Sequence, residues 1–494
     1  MTDFFIPWLT VLLTLPLLAS VLIWMMDIRH ARHIALGASI LSLLVSIMLI
    51  AQFDDTNSQF QLVVTSPWIT SLNSHLTLGV DGISILFLPL TCLLFIGVIL
   101  TSWNNVDSIR RLYYSLLLLL QASTLGIFMA MDTLLFFLFW ELTLIPIYFL
   151  VSLWGKGPNR RYAAVKYTLF MLAGGVPLLF AIVILALHGA SADPSGQLVF
   201  NLVDLLKAPL PYDLQITLFF LLLLGFGAKA PLFPFHTWLP PIALEGPAAV
   251  AAIMTGLKLG VYGMIRFMVP LAPDATLEFQ WLLIALGTTG ILYGAVIALN
   301  QTNLRAMLAW SSISHVGLVV VGLAAFNMQG IQGAIFQLLN FSIISGGLFL
   351  MSGMLYQRTG STDALSLGGI ASTMPLLTAF FLLFGLASMG VPGTNGFAAE
   401  HLLLLGALQS HTGSGLAALL GMIIGAAYFL GMYRHAFLGT ARAIVIPNGA
   451  DLCTRELWVI GLMAILVILG GLYPQLILDI THSAAQDWLH QLQR

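Results

Sequence analysis

The chain has 494 residues, of which 59% are hydrophobic and only 8% charged, with a mean hydropathy of +0.98. Soluble domains carry about 25% charged residues, so an ordinary soluble enzyme is excluded. A net charge of −2 with no basic tail or stripe argues against nucleic acid as a partner.

Along the chain, apolar runs of about 18 or more residues recur, the length that crosses a ~30 Å hydrocarbon layer. They predict an all-α polytopic membrane protein of about fourteen helices, near residues 4–26, 33–51, 84–103, 112–130, 134–154, 163–187, 214–235, 248–268, 281–299, 306–325, 331–355, 375–405, 416–437 and 457–478. The first run is not a cleavable signal, because Thr2 and Asp3 precede it without a basic region and Arg29 and Arg32 follow it. The loops obey the positive-inside bias. Arg29, Arg32, Arg110, Arg111, Lys156, Arg160, Arg161, Lys166, Arg305, Arg358, Arg434, Arg442 and Arg455 fall on one face, and only Lys207, Arg266 and Arg494 on the other. Both termini are thereby placed outside, with 52–80 and 188–213 as the two larger outer loops. The tail from Asp479 to Arg494 is amphipathic (Trp488, Leu489, Leu492) and is expected on the outer surface.

Two basic residues remain, Lys229 and Lys258, and both lie inside apolar runs with the acids Glu141 and Glu400. A charge at bilayer depth costs at least ~2.5–3.5 kcal/mol, so each needs a partner, a wet cavity or a function. Helix-stapling ion pairs would account for one such charge more readily than for four of mixed sign. His236 and His315 extend the set; His315 lies among hydroxyls in Ser311-Ser312-Ile313-Ser314-His315, and imidazole titrates near neutral pH. The seventh and twelfth runs look broken, one by Pro231, Pro234, Pro240 and Pro241 just after Lys229, the other by Gly390-Val391-Pro392-Gly393 before Glu400. Proline removes a backbone donor and frees a carbonyl, so such stretches line cavities or are capped by polar neighbours. Broken helices at matching places of two halves point to a transport site between inverted repeats, although simple proline kinks would give the same residues. Movement of Glu141 relative to Lys229 would change whether the lysine holds its proton, which makes a proton switch.

Other chemistry finds no support. There is no GxGxxG, P-loop, CxxC or HExxH, and His30, His33, His236, His401, His411 and His435 lack metal-ligand spacing. Cys92 and Cys453 are too few and too separate for a disulfide framework or a cysteine-held cluster. Redox energy, if used, has to come from partners.

Several motifs occur in a familiar order: Leu78-Gly79-Val80-Asp81-Gly82-Ile83-Ser84, Phe139-Trp140-Glu141-Leu142, Lys229-Ala230-Pro231-Leu232-Phe233-Pro234-Phe235-His236-Thr237-Trp238-Leu239-Pro240, Leu257-Lys258-Leu259-Gly260-Val261-Tyr262-Gly263, Ser311 to Gly317, and Val391-Pro392-Gly393-Thr394-Asn395-Gly396-Phe397. On these the chain resembles the antiporter-like membrane subunits of respiratory complex I, most closely the NADH–quinone oxidoreductase chain M (chain 4) family, over about residues 78–440. The resemblance implies an N-terminal segment (1–110), two inverted five-helix repeats (111–268 and 281–437), and a last helix with tail (457–494). It also implies a proton-translocating subunit of a redox-driven NADH (or ferredoxin)–quinone oxidoreductase, with Glu141 and Lys229 as the gating pair, Lys258 on the central axis, His315 on the connecting hydrophilic axis and Glu400 as terminal acid. His236, Pro231, Pro234, Pro392 and His401 support them. No cofactor is implied in this chain; FMN, iron–sulfur clusters and quinone would sit in partner subunits. Its surroundings would be other membrane subunits in the lipid bilayer of a bacterial inner membrane or a thylakoid.

The sequence departs from the family pattern in four places. Pro241-Ile242-Ala243 replaces Asp-Ala-His, Asn303-Leu304-Arg305-Ala306 replaces Asp-Leu-Lys-Arg, Phe341 replaces a histidine, and Ala399-Glu400-His401 replaces Gly-Glu-Phe. The central axis thus loses a titratable group, which His401 or water could replace. The alternatives are a related Mrp-type antiporter, membrane hydrogenase or inorganic-carbon uptake complex, and, of another class, a structural scaffold.

Overall fold

A computed structural model describes residues 7–492, apart from 107, 193, 195 and 441–450; Thr2, Asp3, Arg442, Arg494 and the start of the first apolar run lie outside it. The chain opens with α1 (Trp8–Met25) and α2 (Ala31–Ala51), a hairpin of β1 (Gln61–Ile69) and β2 (Ser74–Val80), and then α3 (Phe87–Thr101) and α4 (Arg110–Met129). Next come α5 (Thr133–Leu142), α6 (Leu144–Trp154), α7 (Arg160–Ala192), α8 (Leu202–Lys207), α9 (Tyr212–Lys229) and α10 (Leu239–Glu245). A fragmented stretch follows: α11 (Ala248–Gly256), α12 (Leu259–Gly263), a π-helical turn (Met264–Met268), α13 (Val269–Leu271) and α14 (Pro273–Glu278). The remainder is α15 (Gln280–Leu299), α16 (Leu304–Leu323), α17 (Met328–Thr359), α18 (Ile370–Thr373), α19 (Pro375–Ser388), α20 (Asn395–Ser410), α21 (Thr412–Phe437), α22 (Thr454–Leu472) and α23 (Gln475–Leu492).

Among the described residues, 12 helical stretches are long and apolar enough to cross a membrane, and the shorter apolar helices α3 and α19 fall on two further expected segments. Burial sorts them. The windows of α4, α16 and the 248–271 stretch are 89% buried and that of α17 is 94%, whereas those of α1, α2, α21 and α22 are only 33% buried. Helices enclosed on all sides by protein can carry polar groups that lipid-facing helices cannot. The polar residues Gln337, Asn340, Ser311 and Ser312 lie in these central helices.

The expected breaks are present and another joins them. The seventh run ends at Lys229 and resumes only at Leu239, and the twelfth is interrupted between Ser388 and Asn395. The eighth run also opens, at Leu257 and Lys258, without a proline. Gly260 accounts for the tight fit there: a Cβ on it would meet the backbone of Phe226 and Ala230 at the end of α9. The two openings are therefore packed together.

Three expectations need correction. The outer stretch 52–80 is not all loop, since β1 and β2 pair antiparallel (Val64 with Leu78, Ser66 with Leu76) around Asn73 in the left-handed conformation that asparagine tolerates. Arg266 is not an outer-loop base. It is buried in the π-helical turn and makes a bidentate ion pair with Asp81, at 2.6 and 2.5 Å. Arg305 and Arg358 also turn inward, the first onto the carbonyls of Leu244 and Gly246 and the second onto Glu456. The amphipathic tail belongs to α23, where Trp488 is buried and donates from Nε1 to the Ile265 carbonyl at 2.9 Å.

Candidate functional site

Lys229 is the last residue of α9, where the helix stops and its carbonyls lose their usual donors. The Trp238 indole donates to the Ala228 carbonyl at 2.8 Å and caps part of the break. Pro231 and Pro234 lie within it. The Lys229 ammonium crosses to the junction of α5 and α6, donating to the Trp140 carbonyl (2.9 Å) and Thr143 Oγ1 (2.8 Å), and it stands 4.0 Å from the centre of the Trp140 ring. Glu141 lies between those two acceptors in sequence. Its carboxylate packs over Gly175 of α7, where a Cβ would occupy its place, and its Oε1 is buried without a hydrogen-bond partner. Glu141 and Lys229 thus share one junction without a direct ion pair among the described residues.

His236 sits within the break, in a 3-10 turn (Phe235–Trp238), 3% exposed, boxed by Phe233, Tyr293 and Trp310 at 5.4–5.6 Å, with both ring nitrogens unpartnered. Buried polar atoms in native proteins are nearly always satisfied, by water if not by protein, so this ring is placed to take up a water.

Lys258 occupies the opening between α11 and α12 and is 3% exposed; its ammonium donates to Ser312 Oγ of α16. One residue back on α16, Ser311 shares a 2.6 Å hydrogen bond with the Tyr428 hydroxyl and lies 3.3 Å from His315 Nδ1. His315 Nδ1 is 2.7 Å from the Ser311 carbonyl, and Nε2 is 3.1 Å from the Ser388 carbonyl and 3.4 Å from Glu400 Oε1. Each ring nitrogen faces an acceptor, an arrangement that accommodates a proton on both.

Glu400 is 1% exposed, and its carboxylate lies over Gly390, whose φ of +64° and missing Cβ leave it room. Gln337 donates to it at 3.5 Å, and Asn340 extends the network to Gln337 and Asn395. Pro392 lies in the turn that carries α20 and Glu400 back into the core. His401 turns the other way: it is exposed and stacks on Phe397 at 5.3 Å.

The sequence-expected residues therefore fall into two groups, one around the α5–α6 junction (Glu141, Lys229) and one along α16 (Lys258, His315, Glu400). Sequence reasoning missed Thr143, Gln337, Asn340, Asn395 and Tyr428. Amides inside the apolar runs were the available signal for three of these, since a buried amide needs partners. No group of three or more potential metal ligands occurs among the described residues.

Buried lysines and a His–Glu pair, each hydrogen-bonded to hydroxyls or amides beside broken helices, form an arrangement suited to ion transport. The family described as NADH:quinone oxidoreductase/Mrp antiporter, TM, matches residues 130–425, a span that holds all five principal site residues. The chain belongs to this family. Within the NADH:quinone oxidoreductase/Mrp antiporter family it is 36% identical to the NADH-quinone oxidoreductase subunit M of Rickettsia bellii over 93% of this chain and 92% of that protein. It is also 36% identical to NAD(P)H-quinone oxidoreductase chain 4 2 of Thermosynechococcus vestitus, over 98% and 92% of the two chains. Among solved structures, a chain of respiratory complex I from Thermus thermophilus with bound NADH superposes with a TM-score of 0.88 at 31% identity, covering 98% of this chain and 99% of that one.

Proposed function

We propose that this chain is the proton-translocating membrane subunit of a redox-driven NADH–quinone oxidoreductase, in a bacterial inner or thylakoid membrane. The observation that carries this reading is the buried sequence of groups from Lys258 through Ser312, and from Ser311 through His315 to Glu400. Each can hold or pass a proton, and their burial supports transfer among themselves over exchange with lipid. Residues 111–268 and 281–437 act as two repeats, each with its own broken helix, and 1–110 and 457–494 flank them.

In the first repeat, Lys229 exchanges its proton under the influence of Glu141, and Thr143 and the Trp140 carbonyl hold the ammonium at their junction. In the second, His315 passes a proton to Glu400. FMN, iron–sulfur clusters and quinone belong to partner subunits, which supply the driving energy; this chain contributes only proton-carrying side chains and water. The test is Lys229→Met in the intact complex. It should abolish redox-driven proton uptake into vesicles while the complex still assembles. Normal pumping by that variant ends the reading, and loss of assembly in its place would favour a helix-stapling role.

A further inference from the structure

The polar groups along α16 do not form one continuous wire. Lys258 reaches Ser312, and His315 reaches Ser311. Consecutive residues on an α-helix point about 100° apart, so the two hydroxyls serve different sides. The buried ring of Phe341 on α17 stands against both Lys258 and His315. Lys258 Nζ lies 5.3 Å from its centre, and the His315 ring meets it edge-on at 6.3 Å. On the His315 side a cavity of about 20 Å³, room for one water, is lined by Ser311, His315, Gln337, Asn340, Phe341 and Ser388 among others. Lys258 and Ser312 do not line it. The Phe341 ring forms part of its wall.

A benzene ring neither donates nor accepts a proton, so while it holds this position Lys258 and His315 are isolated from each other. The backbone beneath the ring is fixed. Ser342 Oγ donates to the Gly256 carbonyl at 3.2 Å, and a Cβ on Gly256 would lie 3.4 Å from the Phe341 carbonyl. Rotation of the side chain is the movement this packing leaves open. The lysine charge against the ring face favours the shut position.

We propose that Phe341 is a dry gate between the two halves of the proton path, shut in this structure and opened by rotation of its ring. When it opens, the Lys258 ammonium gives up a proton and becomes a neutral amine, and the proton crosses the single water to the His315–Glu400 pair, where the Glu400 carboxylate takes it up. This rests on the proton-translocating reading above.

The test uses the complete complex in sealed vesicles. Passive proton conductance is measured under a potassium diffusion potential without electron donor, and protons pumped per electron pair with NADH and quinone. Phe341→Ala should raise the passive conductance and lower the ratio, because water can then join the two sides. Phe341→Trp should lower the ratio without raising the conductance, because a larger ring swings aside less readily. If Phe341→Ala does not assemble, Phe341→Val gives the same comparison with less volume removed. Wild-type conductance and ratio in an assembled Ala or Val variant overturn the gate. If Lys229→Met still abolishes pumping in that case, only the gate has failed; if Lys229→Met pumps normally, the proton-translocating reading has failed with it.

Discussion

Asp81 and Arg266 offer the sharpest contrast between a buried charge that holds the fold and one that moves protons. Arg266 donates through both terminal nitrogens to Asp81, at 2.6 and 2.5 Å, and both side chains are 6% exposed. Asp81 also accepts from the backbone of Ile83 and Ser84, and Arg266 donates to the Tyr262 hydroxyl, so few bonding positions are left open. The pair ties the end of β2 to the π-helical turn and stands apart from the Lys258–Glu400 network. Asp81→Asn keeps the size and removes the charge, leaving a desolvated guanidinium without its counter-ion. Breaking a buried pair in this way costs about 3–5 kcal/mol, more than a hundredfold in an equilibrium constant. Replacing both members by apolar residues of similar volume is often neutral, so Asp81→Leu with Arg266→Met should recover most of the loss. The assay is the fraction of complex that survives a denaturant or temperature series, with protons per electron pair measured on the survivors. Asn alone should lower survival and leave the ratio unchanged, and the double variant should restore survival. Wild-type survival of the Asn variant, or a collapse of its ratio in complexes that do survive, would refute the structural assignment.

Two further outcomes follow from local geometry. Asp132, in the outer turn ahead of α5, accepts from the backbone of Leu134 and Leu135 as an N-cap, and burial raises its carboxyl above the usual carboxylate range. Asp132→Ala should lose about 1 kcal/mol, whereas Asp132→Asn should keep the cap. Because the folded form holds its proton more tightly than the unfolded chain, stability falls as pH rises from the unfolded value near 3.8 through the folded one. Melting curves across that range should lose this slope in the Asn variant. Gly390→Ala would put a Cβ 2.5 Å from Glu400 Oε2 at a φ of +64°. A cost of about 1–2 kcal/mol in stability and a lower proton ratio should accompany the displaced carboxylate, read by melting and by vesicle uptake.

Much of the fold was legible in the sequence because membrane helices announce themselves by long apolar runs. The breaks after Lys229 and before Glu400 were legible because proline and glycine disrupt helices in identifiable ways. The opening at Lys258 was not. It depends on Gly260 packing against the end of α9, a long-range contact that no local pattern carries. The hairpin was hidden in a polar stretch that hydropathy reads only as outside. Arg266 was misplaced for a related reason: counting bases in loops cannot distinguish an arginine facing water from one that turns inward to an aspartate 185 residues earlier. The site was legible as a set of anomalous charges. What joins them, Gln337, Asn340 and Tyr428, required the packing of α16, α17, α20 and α21.

If buried titratable groups carry the proton, Lys258 is the group to remove, since its ammonium meets a hydroxyl and an aromatic ring rather than a counter-ion. Lys258→Met in the intact complex removes the charge and keeps the bulk. Protons pumped per electron pair should fall well below the wild-type value in complexes that assemble normally. An unchanged ratio would mean that the proton does not pass through this lysine.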